Sequence, residues 1–123
     1  MKSQQKLSNI IKEEQPGTNE KYQNLSIVHC KEENMQNTVK SIGKKKTLLV
    51  SDNPIDIEGV RTMTHAIKKV SDVKVVSDVL QLYDFQKVIF SQKGVTETDF
   101  LKTIRNLLLQ NHQTEFVWLV KEE

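Results

Sequence analysis

The chain predicts an α/β fold: a three-layer α/β sandwich around a mostly parallel sheet of about four to five strands. Three observations predict it. Short apolar runs alternate along the chain with stretches of helical periodicity, the pattern of parallel strands joined by crossover helices. The run Thr47-Leu48-Leu49-Val50 is continuously apolar rather than alternating, as a strand buried on both faces must be. It is also bracketed by turn signals, Gly43-Lys44-Lys45-Lys46 before it and Asp52-Asn53-Pro54 after it. The chain has 123 residues, 37% of them hydrophobic, and a chain of that length buries enough surface to hold its own core.

In chain order, residues 3–14 carry Leu7, Ile10 and Ile11 on one helical face, and Gln15-Pro16-Gly17 stops that helix. Residues 1–21 are thus an N-terminal helix and linker, and 22–123 a single α/β domain. Leu25 to His29 reads as the first strand, with Cys30 at its end. Lys31 to Ile42 reads as a helix showing Met35, Val39 and Ile42, with Gly43 at the position of a C-terminal helix glycine. After the central strand, Asn53 and Pro54 suit a helix start. Val60, Met63, Ile67 and Val70 then make an apolar stripe. Ser71-Asp72 ends that helix, Val73 to Val76 is the third strand, and Asp78 to Phe85 a short helix. Lys87 to Phe90 is the fourth strand. Thr96 with Asp99 resembles a capping box, and Val95 with Phe100 a hydrophobic staple. Both open a helix over 96–111. Phe116 to Val120 is the fifth strand.

Composition narrows the function. Net charge is +2 and the isoelectric point about 8.6, only mildly basic. No apolar run reaches the ~20 residues of a membrane span. The single Cys30 cannot form an internal disulfide and fits a reducing compartment. The four glycines build no phosphate-cradling loop. His29, Cys30, His65 and His112 have no metal-ligand spacing. Asp52 and Asp56 read as helix-capping acids before they read as metal ligands. The expectation is a protein that is not an enzyme, with no catalytic residue, metal, cofactor, small-molecule substrate or membrane partner. Ligands of such sheets gather beyond the C-terminal strand ends. That places Ser51, Asp52, Asn53, Ser77, Asp78, Ser91, Gln92 and Lys93 on one rim.

The order of pieces resembles the C-terminal globular half of the large-subunit ribosomal protein family called L four. Asn24 to Val28 stands for its first strand, Gly43 to Val50 for its Lys-rich turn and second strand, and Val73-Lys74-Val75-Val76 for its third. Leu82-Tyr83-Asp84 matches its Val-Tyr-Asp step, and Lys87 to Lys93 the strand that ends in Thr-Lys. The likeness spans about residues 22–105 and rests on order and spacing. There are departures. Lys68-Lys69 stands where the family has Arg-Asn, the connection after Tyr83-Asp84 is short, and the last strand looks added. The family's glycine- and arginine-rich extension has no counterpart. The resemblance implies a structural constituent of a large ribosomal subunit, with ribosomal RNA and other large-subunit proteins as partners.

The basic residues Lys40, Lys44, Lys45, Lys46, Arg61, Lys68 and Lys69 are the expected RNA contacts, acting on phosphates by charge and position, with Lys40, Lys68 and Lys69 expected to share one basic edge with the lysine turn. The competing reading of the lysine turn is a solvated surface. Tyr83 and Trp118 read as core or interface residues. The near-balanced charge suits a protein-rich organellar ribosome and points to the mitochondrion, with the cytoplasm as alternative. A rival resemblance exists. Leu48 to Pro54 also looks like the opening of a response-regulator receiver. Such domains need paired acids and a phosphoacceptor aspartate at a later strand end. Ser51-Asp52 supplies one acid, and Phe90 is followed by Ser91-Gln92. The alternative is therefore a phosphorylation-dead pseudo-receiver acting as a protein–protein interaction module.

Overall fold

The structure is a computed structural model that describes residues 22–43 and 46–122. The helix expected over 3–14 and the lysines Lys44 and Lys45 lie outside the described residues. The rest is α/β, with five parallel strands and three α-helices: β1 (Leu25–Lys31), α1 (Met35–Ile42), β2 (Thr47–Ser51), β3 (Arg61–Thr64), α2 (Val73–Leu82), β4 (Lys87–Ser91), α3 (Glu97–Gln110) and β5 (Glu115–Glu122). The sheet order is β1-β5-β4-β2-β3, every pair parallel. The expected last strand, β5, lies inside the sheet between β1 and β4.

Alternation along each strand sends neighbouring side chains to opposite faces and splits the core in two. One face carries Leu48, Val50, Val88, Phe90, Phe116 and Trp118 beneath α2 and α3. The other carries Leu49, Ile89, Val117 and Leu119 beneath α1 and the 52–60 loop, whose Ile57 is buried. The aromatic rings interlock on the first face. Phe90 meets Phe100 edge-on at 5.3 Å between centroids, and Phe100 stacks on Trp118 at 5.0 Å. Such pairs add to what their burial contributes. Val50 has no exposed surface, as a central strand requires.

The cap of α3 forms as its sequence predicts. The Thr96 side chain accepts from the Asp99 N–H at 3.2 Å, and Phe100, Ile104, Leu107 and Leu108 are buried. Gly43 differs from expectation. Its φ is −90°, outside the left-handed region. The glycine is needed for close approach, because a Cβ would stand 2.7 Å from the Val39 carbonyl oxygen. Among the described residues of this connection, Lys46 is left-handed, at φ 57°.

Between 53 and 85 the expected helix and strand change places. The stretch read as a helix with a Val60–Val70 stripe is a loop followed by β3. Gly59 takes φ +85°, which ends any helix there, and the β-branched Thr62 and Thr64 suit a strand. The stretch read as the third strand, Val73 to Val76, is the first turn of α2. Val73 and Val76, three apart, are buried, and Val75 points outward. Ser71-Asp72 starts this helix instead of ending one. The Asp72 carboxylate accepts from the backbone N–H of Lys68 at 2.8 Å and of Lys69 at 3.0 Å. The short helix expected over 78–85 is the second half of α2, and Tyr83 is already extended.

Those two N–H groups hold the Asp72 carboxyl below its ordinary value, with nearby Lys69 and His65 helping. A depressed carboxyl contributes stability above its unfolded pKa and loses it as pH falls through the folded one. Asp72→Ala should therefore melt below the wild type at neutral pH. The gap should narrow as pH falls below the ordinary carboxylate range. Melting curves by circular dichroism from pH 7 downward test this, and a gap that widens on acidification would refute it.

Candidate functional site: two rims and a groove

The C-terminal rim lies where the strand order reverses, between β2 and β4, the usual ligand crevice of an open α/β sheet. Six expected residues do converge there: Ser51, Asp52, Asn53, Ser91, Gln92 and Lys93. Ser77 and Asp78 do not, because they sit in the second turn of α2. The crevice is filled by Gln92, which is 8% exposed. Its Oε1 accepts from the Ile67 N–H at 2.9 Å, and its Nε2 donates to the carbonyls of His65 at 3.0 Å and Val50 at 3.4 Å. Asp52 also faces inward onto backbone. Its Oδ2 accepts from the Lys93 N–H at 2.8 Å, and its buried Oδ1 has no hydrogen-bond partner. Ser51 Oγ accepts from the Asn53 N–H, and Ser91 Oγ lies 3.7 Å from Met35 Sδ. This rim ties loops together.

The histidines and the cysteine are dispersed. His29 pairs with Glu122 at 3.4 Å, and His65 Nε2 lies 3.1 Å from the Asp72 carbonyl. Burial pushes the Cys30 thiol up, opposed by a side-chain hydrogen bond from Thr38. Among the described residues, no three His, Cys, Asp or Glu side chains gather as a metal site. No described helix is long and apolar enough to cross a membrane.

The N-terminal rim carries some of the cations. Lys40 is exposed in the last turn of α1, and Lys46 is exposed just before β2. The two residues that join Gly43 to Lys46 are Lys44 and Lys45. The Lys46 carbonyl accepts from the N–H groups of Gln86 at 2.9 Å and Lys87 at 3.4 Å, tying the starts of β2 and β4. Its ammonium meets Asp84 at 3.0 Å, an exposed pair. Lys87 is half-buried and donates to the Ile42 carbonyl at 2.7 Å, so it holds α1 to the sheet.

The expected basic residues are not one edge. Lys68 and Lys69 follow β3 at the opposite end of the strands from Lys46, beside Ile67, whose N–H is bonded to Gln92 beyond the end of β4. Arg61 is exposed at the start of β3, beside a groove of about 990 Å³ along the free edge of that strand. Lys46, Ile55, Val60, Tyr83, Asp84 and Phe85 also line it. Tyr83, expected in a core or interface, is 54% exposed and therefore not in the core. Its position at the mouth of this groove follows from α2 ending at Leu82, a boundary hidden while 73–76 was read as a strand.

No protein-family model matches this chain, and no curated protein or solved structure matches it either.

Proposed function

We propose that the chain is a non-catalytic constituent of a large ribosomal subunit, within a mitochondrial ribosome. It docks on ribosomal RNA through the N-terminal rim and on neighbouring proteins through its other surfaces. One observation carries the reading. Lys40, on α1, and Lys46, before β2, stand at the same end of the sheet, with Lys44 and Lys45 between them in the chain. The crevice where a substrate would bind is meanwhile occupied by the protein's own Gln92.

The rim contacts phosphates as charge, so its contribution falls with salt. Replacing Lys44, Lys45 and Lys46 by glutamine should flatten the slope of log affinity against log salt by about 2 to 3. The fold should hold, because the Lys46–Asp84 pair is exposed and such pairs contribute little. Replacing Lys68 and Lys69 should leave the slope unchanged. The measurement is incorporation into large subunits at several salt concentrations, with circular dichroism as the folding control. Equal slopes for the wild type and the triple variant would remove the rim from the RNA interface.

The strand order favours a second reading. Counted from β2, the sheet runs second, first, third, fourth, with β1 in the fifth place, the order of flavodoxin-like sheets. Asp52 and Ser91 then flank the switch point, as in a pseudo-receiver without a phosphoacceptor aspartate. Such a module sediments in the soluble pool rather than with large subunits.

A further inference from the structure

Among the described residues the outer edge of β3 pairs with no other strand, and the phase of its hydrogen-bonding groups is known. The His65 N–H donates to the Ser51 carbonyl at 2.7 Å. In a parallel ladder successive residues turn their backbone groups to alternate sides. Arg61, Met63 and His65 therefore address β2, and the N–H and C=O of Thr62 and Thr64 point away from the sheet. Beside these four groups runs the 990 Å³ groove. Its walls come from opposite faces of the sheet. Ile55 and Val60 pack with the α1 side, and Phe85 with the α2 side, where Tyr83 lies 6.3 Å from it between ring centroids. Arg61 has no ion pair or hydrogen bond within the described residues. It shares its face of the strand with Met63.

We propose that this edge takes an extended segment of another polypeptide as a sixth strand, with an acidic side chain opposite Arg61. Unpaired strand edges template further strands, and a second extended backbone can pair all four outward groups at once. Ile55, Val60 and Phe85 accept alternate side chains, and although Asp56 and Asp84 also line the groove, Arg61, unpaired among the described residues, is the cation that faces an acidic side chain on the Met63 side of the strand. The other edge, β1, is less open to this, since His29 and Lys31 stand along it and His29 is held by Glu122. The proposal does not rest on the ribosomal reading.

The test uses the full chain and the peptide Ac-Val-Glu-Val-Thr-Val-NH2, which puts glutamate on the Arg61 face and valines on the Ile55–Val60 face. Amide exchange is read by NMR. In the free protein the Thr62 and Thr64 amides should exchange at least about ten-fold faster than Met63, whose N–H is bonded to β2. At ten times its dissociation constant the peptide should slow both by about ten-fold. The same peptide N-methylated along its bonding edge should do nothing. Arg61→Glu should weaken the glutamate peptide by about ten-fold, and a lysine-for-glutamate peptide should restore binding to that variant. Several outcomes would overturn the proposal. One is amides already protected in the free chain, which means that the edge is covered by the protein itself. Others are no binding by folded protein, shifts mapping elsewhere, or protection by a uridine oligonucleotide and not by the peptide.

Discussion

Val50→Asp should prevent the domain from folding. Val50 sits in the central strand with β3 on one side and β4 on the other, and none of its surface is exposed. Its neighbours on that face are apolar: Leu48, Phe90, Val88 and the helix residues above them. No cation is among them to pair with a carboxylate. An uncompensated buried charge costs several kcal/mol, and a domain of this size has about 5–15 kcal/mol in total. Val50→Ala separates charge from lost volume, because it removes two carbons and costs about 2 kcal/mol. Urea unfolding followed by circular dichroism should therefore give a cooperative transition at lower urea for the alanine variant, and no native baseline for the aspartate variant. An aspartate variant with unchanged melting would remove β2 from the centre of the sheet.

The elements legible in the sequence are those with one dominant local cause. β2 and β4 are continuous apolar runs between turn residues. α3 has a cap, a staple and four buried residues at helical spacing. Where the structure departs from expectation, two periods were compatible with the same residues. Val60, Met63 and Ile67 fit a helical stripe, yet only Ile67 is buried, held through its N–H by Gln92, while Val60 and Met63 are half-buried against opposite faces of the sheet. Val73, Val75 and Val76 are strand formers by propensity, yet the helix wins. Val73 and Val76 reach the core on one face, and Asp72 ties the preceding turn. Tertiary burial and one side-chain cap outweigh intrinsic preference of a few tenths of a kcal/mol per residue. The stretch paired with the third strand of the ribosomal family is among those that changed, so the likeness does not extend through 73–76 in secondary structure.

The rims were less legible than the fold. That the strand ends Ser51–Asn53 and Ser91–Lys93 share one end follows from parallel topology alone. That Lys68 and Lys69 lie at the far end from Lys46 does not, because it depends on where β3 falls. Reading 53–70 as a helix returning from the end of β2 puts those lysines on the N-terminal rim, the wrong end of the sheet. The groove at the β3 edge was invisible for the same reason, since a strand that was not expected cannot show a free edge.

Gln92 gives the second large effect, and its variants should rank against size. Gln92→Leu keeps the volume and removes every polar atom. The Ile67 N–H, on a residue 1% exposed, is then buried without a partner, and the His65 carbonyl loses its donor. A buried donor left unpaired costs about 1–3 kcal/mol, so the leucine variant should lose about 2 to 3 kcal/mol. Gln92→Ala removes more atoms, which in an apolar core is the worse change. Here the space it leaves is bordered by the Ile67 N–H and the carbonyls of His65 and Val50. A water held by two to four polar partners is stable in such a place. Alanine should accordingly be milder than leucine, the reverse of the apolar rule. Urea unfolding of the three proteins measures the order. Leucine milder than alanine would show that Gln92 acts as packing and not as a hydrogen-bonded plug. Both variants within about 0.5 kcal/mol of wild type, the usual range for surface positions, would show that the Gln92 hydrogen bonds contribute little to holding the 65–67 segment against β2 and β4.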